Sequence, residues 1–211
     1  MEPGANVIEL TVDEAIERAA SLAAAGRALL GIAGCPGAGK STLSDAITGR
    51  VPSSVVVPMD GFHMLNEDLV RLGRRDRKGA PDTFDAAAYI ALLDRVRCQK
   101  SEVVTAPRYD RSASVPVPDG IAVAPDVALV ITEGNYLLVE EAPWTAVRPL
   151  LDEVWFVEVD DAIRVPRLIA RHIEFGKSAD EAREWVLRSD EANSKVVAAT
   201  RDRADVVVRL P

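Results

Sequence analysis

The residues Gly34-Cys35-Pro36-Gly37-Ala38-Gly39-Lys40-Ser41 carry glycine, lysine and a hydroxyl at the spacing GxxxxGK[ST]. That spacing serves phosphate binding. Glycines let successive backbone N–H groups turn inward around an oxyanion, and a helix beginning near Lys40 adds the partial positive charge of its N-terminus. Lys40 then reaches the β- and γ-phosphates of a nucleoside triphosphate, and the Ser41 hydroxyl becomes a ligand for Mg²⁺. The expected cradle runs on to Thr42, and Cys35 contributes its backbone rather than its thiol. ATP and Mg²⁺ are the implied cofactors.

Two carboxylates follow apolar runs in the same way that the glycine loop does. Asp60 ends one in MDGFH, and Glu133 ends another in VITEGNY. Parallel α/β sheets collect ligands at the carboxyl ends of their strands, so both acids point toward the phosphate loop. Either can take a proton from an acceptor hydroxyl or hold Mg²⁺ directly or through water. A third ingredient is positive charge: Arg164, Arg167 and Arg171 fall at i, i+3 and i+7, one face of a helix that can close over a polyphosphate. Pro166 disturbs that helix and turns Arg164 elsewhere. The basic run Arg74 to Lys78 reads first as a solvated loop, with a clamp for an anionic substrate as its alternative. Of the two histidines, His63 is the better substrate contact, three residues beyond Asp60. Trp144, Trp155 and Trp185 read most simply as core or interface residues.

These groups need a scaffold, and the hydropathy pattern supplies one. Apolar runs without alternation at 28–34, 54–59, 127–132, 153–159 and 204–210 read as strands buried on both faces. Helical intervals at 85–99, 161–175 and 178–197 separate them, the last opening with the capping-box pattern SADE. A leading helix within 1–26 starts at Thr11 or Asp13 and stops at Gly26. Strands alternating with helices imply parallel pairing through right-handed crossovers, hence a mainly parallel sheet in a three-layer α/β/α sandwich. The stretch 61–125 breaks the rhythm with Arg, Pro, Asp and Gly, and reads as a substrate-side insertion in which Val115 to Pro118 forms an edge hairpin. The region 161–195 then serves as a helical lid on a single domain.

Composition narrows the field further. The chain has 211 residues, 48% hydrophobic and 27% charged, an ordinary globular recipe. Its 25 Lys and Arg against 33 Asp and Glu leave a net charge of −8, which disfavours a nucleic-acid or anionic-membrane surface. Cys35 and Cys98 have neither disulfide density nor metal-ligand spacing, as expected of a cytoplasmic protein. The opening residues lack the basic and apolar regions of a secretory leader, and no run approaches the roughly 18 uninterrupted apolar residues of a membrane span.

Taken in order, the glycine loop, MDGFH, PDTFD, PRYDRS, VITEGNYLL and the arginine helix resemble the phosphoribulokinase, uridine kinase and pantothenate kinase family of P-loop kinases, over nearly everything after Arg27. The resemblance implies a P-loop NTPase fold and a small-molecule kinase. It makes Asp60 the general base and ties Glu133 to Mg²⁺ and the substrate region. It places Asp85, Tyr109 and Asp110 in the acceptor pocket with Arg111 nearby, puts Arg167 and Arg171 on the lid, and brings Asn193 toward the nucleotide base. The aromatic pair that uridine kinases carry after the aspartate is replaced by Gly61-Phe62-His63, closer to pantothenate kinases, which are longer. The chain is most similar to a short bacterial nucleoside/nucleotide kinase-like group with sugars such as fructose among its suggested acceptors. The resemblance also leaves room for a homodimer.

The expected activity is transfer of the ATP γ-phosphate to a hydroxyl of a nucleoside, a pantothenate-like molecule or a sugar. The alternative is a P-loop ATPase or switch without a metabolite acceptor; the chain has neither an NKxD segment nor an LSGGQ-like signature.

Overall fold

A computed structural model describes residues 7–210. Its centre is a sheet of six parallel strands in the order β1-β8-β7-β2-β6-β3. These are β1 (Ile8–Leu10), β2 (Ala28–Gly34), β3 (Ser54–Pro58), β6 (Leu129–Gly134), β7 (Glu153–Glu158) and β8 (Val206–Arg209). Five match the apolar runs. The sixth, β1, is a three-residue strand beside β8, too short and too exposed to leave a periodic signal. The part of the expected leading segment before residue 7 lies outside the described residues.

Strand parity divides the core in two. Leu30, Ile32, Leu129, Ile131, Trp155 and Val157 face one side, where α1 (Val12–Ala25) and α2 (Lys40–Thr48) cover them with Ala15, Ala19, Leu43 and Ile47. Leu29, Ala33, Val130, Val154 and Phe156 face the other, against Tyr89, Leu93 and Val96 of α4 (Ala86–Arg97). Each such side chain taken fully out of water stabilises the fold by roughly 1.5–3 kcal/mol, so the two faces lock the helices to the sheet. The α1 N-cap is Thr11, reciprocated by Glu14 in a capping box.

The stretch 61–125 is less of an insertion than its composition suggests, because α4 is one of the covering helices. What stands apart is α3 (Asn66–Arg71) and an antiparallel hairpin, β4 (Val104–Asp110) with β5 (Val115–Val123), which forms a sheet of its own. On the opposite rim, α5 (Asp161–Glu174) leads to α6 (Ala179–Trp185), a π-helical turn at Val186–Asp190, and α7 (Glu191–Ala198). Helix α5 runs uninterrupted across Pro166, correcting the expected disturbance of its first turns. The donor that proline lacks would have served the carbonyl of Ala162, an exposed residue in the first turn.

Candidate active site

The sheet register lines up the chemistry. Glu133 in β6 lies between Ile32 of β2 and Pro58 of β3. Two residues past Ile32 the glycine loop begins, and two past Pro58 comes Asp60, so loop and acids share one edge. Between β2 and α2 the chain makes a tight turn in which Gly37 (φ 79°) and Gly39 (φ 92°) occupy the left-handed region. A side chain at Gly37 would press on Arg164 and Leu168 at 3.3 Å and would be strained at this φ, which favours glycine there. A cleft of about 650 Å³ opens over this edge, lined by Pro36, Gly37, Gly39, Lys40, Ser41 and Thr42 from the loop and by Asp60 and Glu133 from the strand ends.

Lys40 lies back along its own loop. Its Nζ donates to the carbonyls of Gly34 (2.8 Å) and Cys35 (3.1 Å) and to Oδ1 of Asn135 (2.8 Å). Burial pushes the ammonium down to about 8, with Glu133 and then Asp60 opposing the shift. Ser41 Oγ donates to Oε1 of Glu133 at 2.8 Å, while the other carboxylate oxygen, Oε2, is buried without a partner. Burial raises the Glu133 pKa, opposed by Lys40 and Ser41. A desolvated carboxylate oxygen with nothing to accept, beside a serine hydroxyl, fits a hard divalent cation such as Mg²⁺. Among the described residues no cluster of three His, Cys, Asp or Glu gathers to hold a metal.

Asp60 sits in the 3-10 turn after β3, with a side chain 32% exposed, and pairs at 3.1 Å with the guanidinium of Arg111 from the β4–β5 turn. Beside it, His63 Nδ1 bonds the Asp60 carbonyl at 2.9 Å, and its ring packs between Phe84 (4.0 Å) and Tyr109 (4.7 Å). Burial lowers the His63 pKa against the pull of Asp60. His63, Tyr109 and Arg111 all line the cleft.

Two expected pocket residues do not. Asp85 caps α4, its Oδ1 accepting from Ala88 N at 2.9 Å, and Asp110 builds the hairpin turn by accepting from Ser112 N, Ser112 Oγ and Ala113 N. Neither lines the cleft. Both are short acids whose affinity for nearby backbone N–H groups makes them local builders. Arg164 turns away from the cleft, as expected, although α5 is unbroken. It is 2% exposed and braces the loop from behind, donating to the Pro36 carbonyl (3.1 Å), Ser194 Oγ and Glu191. Arg167 and Arg171 do face the cleft from α5, and Asn193 lines it from α7.

Several lining residues were not singled out from the sequence. Asn135, next to the Glu133-Gly134 pair, accepts from Lys40. Trp185, read as a packing residue, lines the cleft with Lys177 at 4.9 Å and Arg188 at 5.3 Å over its ring. Near it His172 bonds Asp190 at 2.8 Å. In the basic run, Arg75 and Lys78 line the cleft whereas Arg74 and Arg77 pair with Asp82. The SADE cap marked this helix; nothing in its spacing marks Trp185 as lining.

A parallel sheet whose glycine loop feeds a helix, with two acids at the strand ends and an arginine-bearing helix opposite, defines a P-loop kinase. Residues 29–211 match the Phosphoribulokinase / Uridine kinase family, and the chain belongs to it. It is 34% identical over 195 residues to a "Putative uridine kinase" of Schizosaccharomyces pombe, an alignment covering 87% of this chain and 83% of that protein. It is 34% identical over 152 residues to an "ATP-dependent kinase-like protein" of Aspergillus versicolor, covering 68% and 88%. The crystal structure of a "putative fructose transport system kinase" from Silicibacter sp. TM1040 superposes with a TM-score of 0.80 at 32% identity, covering 92% of this chain and 98% of that one. No described helix is long and apolar enough to cross a membrane.

Proposed function

We propose that the protein transfers the γ-phosphate of ATP to a hydroxyl of a small metabolite, of the nucleoside, pantothenate-like or sugar kind, with Asp60 as the base. The carrying observation is the division of labour between the acids. Glu133 is bonded to Ser41 beside Lys40 and has one buried oxygen to spare, whereas Asp60 is partly exposed in the same cleft and held by Arg111. The first arrangement suits a metal, the second a reacting hydroxyl.

The triphosphate lies along the loop from Gly34 to Thr42, where Lys40 exchanges its contacts with loop carbonyls for phosphate oxygens. Ser41 and Glu133 would hold Mg²⁺, which when bound neutralises phosphate charge and aligns the γ-phosphate. Asp60 takes the acceptor's proton as the hydroxyl oxygen bonds to the γ-phosphorus; the bond from that phosphorus to the β–γ bridging oxygen breaks, and ADP carries the electron pair away. Arg167 and Arg171 close over the phosphates and exclude water, which would otherwise turn the same step into hydrolysis. The test is ADP release with nucleosides, pantothenate-like molecules and sugars, each beside a control without acceptor. An acceptor that raises the rate well above the control supports the reading; a rate indifferent to every acceptor sinks it in favour of an ATPase or switch.

A further inference from the structure

We infer that the acceptor is an acid: a small hydroxylated molecule whose carboxylate or phosphate, remote from the reacting hydroxyl, is held by Lys78 and Arg75. This deepens the kinase reading above and rests on it.

The run Arg74 to Lys78 divides into two pairs. Arg75–Arg77 is a 3-10 turn, so residues three apart share a side. Arg74 and Arg77 turn together onto Asp82, at 3.3 and 2.8 Å. Arg75 and Lys78 turn together into the cleft, and among the described residues neither has a carboxylate within ion-pair distance.

Lys78 is also held in place. Its Nζ donates to Asn66 Oδ1 (2.8 Å) on α3 and to the Ser114 carbonyl (2.9 Å) in the hairpin turn, and stands 5.5 Å from the Tyr109 ring centroid. An ammonium has three protons, and two are accounted for. Burial, and then the neighbouring charge of Arg75, lowers its pKa to about 8, the mark of a cation lacking a counter-charge. The aromatic panel of His63 and Tyr109 joins this ammonium to Asp60. An acceptor that offers its hydroxyl to Asp60 therefore runs along that panel and brings its other end to Lys78.

Charge bookkeeping across the cleft agrees. The triphosphate end has Lys40, Arg167 and Arg171, Arg111 is paired with Asp60, and Lys177 lies over Trp185 on the lid, which leaves Arg75 and Lys78 at the hairpin end. In a chain of net charge −8, two cations facing one pocket are a local feature rather than a reflection of composition. A neutral sugar or nucleoside would leave both uncompensated as the lid closes and water departs.

Matched pairs of acceptors test this: glycerol with glycerate, pantothenol with pantothenate, and fructose with fructose 6-phosphate, the first two pairs probing a carboxylate and the third a phosphate. ADP release is measured with Mg·ATP, and binding by calorimetry with a non-hydrolysable ATP analogue and Mg²⁺. The acid member of at least one pair is expected to win. Lys78→Gln should raise its KM about 10- to 100-fold, the usual cost of a hydrogen bond to a charged group, with the KM for ATP unchanged. Lys78→Arg should restore part of the loss, and Arg77→Gln should leave the acid-to-neutral ratio where it was. Neutral members preferred throughout would overturn the inference. So would an equal fall in kcat/KM for both members of a pair in Lys78→Gln, the signature of a strap between α3 and the hairpin. If acids bind in a Lys78-dependent way but nothing is phosphorylated, the anion site stands and the kinase reading fails. If neither member of any pair binds, the inference falls.

Discussion

The two ends of the cleft are built on different principles. The phosphate end comes from one unbroken segment, 34–42, joined by Glu133 from the neighbouring strand, and its binding groups are largely backbone. Its lysine is already coordinated by loop carbonyls and Asn135. The lid arginines face the phosphate end, while the acceptor end is assembled from three separated pieces: the turn after β3, the basic run after α3 and the β4–β5 turn. Its groups are side chains, and two of its cations, Arg75 and Lys78, have no carboxylate partner among the described residues. The difference teaches that a nucleotide site common to many reactions can be written locally, while the choice of acceptor is written across the fold.

Asp60→Asn tests that division most severely. Turnover should fall by roughly 10² to 10⁴, the range for losing a general base, while ATP binding measured by calorimetry stays within a few-fold. An equal loss of ATP affinity would move Asp60 to the phosphate end. Lys40→Ala should instead damage both properties, with turnover falling on the order of 10²- to 10³-fold, as for removal of one preorganised donor to the reacting phosphate, and ATP affinity falling with it. A variant that kept full affinity would show that the loop backbone alone holds the nucleotide.

The pH dependence sharpens the phosphate end further. Lys40 titrates near 8 in the free protein, and bound phosphate favours its charged form. Binding of ATP should therefore take up a proton as pH rises through 8, and Kd should be about tenfold weaker at pH 9 than at pH 7, measured at fixed Mg²⁺. A flat profile would mean that the lysine stays charged without nucleotide.

How far each end could be read beforehand follows from the same contrast. The loop, its strand and its helix obey local rules of spacing, and the structure keeps Ala28–Gly34 and Lys40–Thr48 at the bounds the pattern implies. Asp60 and Glu133 were legible because strand ends of a parallel sheet share an edge. The local bonds of Asp85 and Asp110 were not legible, because a sequence shows that an acid is present, not whether nearby backbone N–H groups have claimed it. Pro166 set Arg164 apart from Arg167 and Arg171, yet its burial behind the loop depends on Ser194 and Glu191, about thirty residues away, which no spacing shows. Trp185 and Asn135 were missed for a related reason: an aromatic on a helix and an amide after a strand have no spacing that separates lining from packing.

The smallest expected effect concerns Asp85. As a cap, Asp85→Ala should cost about 1 kcal/mol of stability, read as a lower Tm, and leave the acceptor KM unchanged. A raised KM with unchanged Tm would return Asp85 to the acceptor end.

The central claim is that phosphate leaves ATP for a hydroxyl placed at Asp60 rather than for water. Phosphorus NMR of the wild-type protein with Mg·ATP and the acceptor that most stimulates ADP release tests it directly. The account predicts a new phosphomonoester resonance growing in step with ADP, and its loss in Asp60→Asn. ADP accompanied only by inorganic phosphate would contradict it.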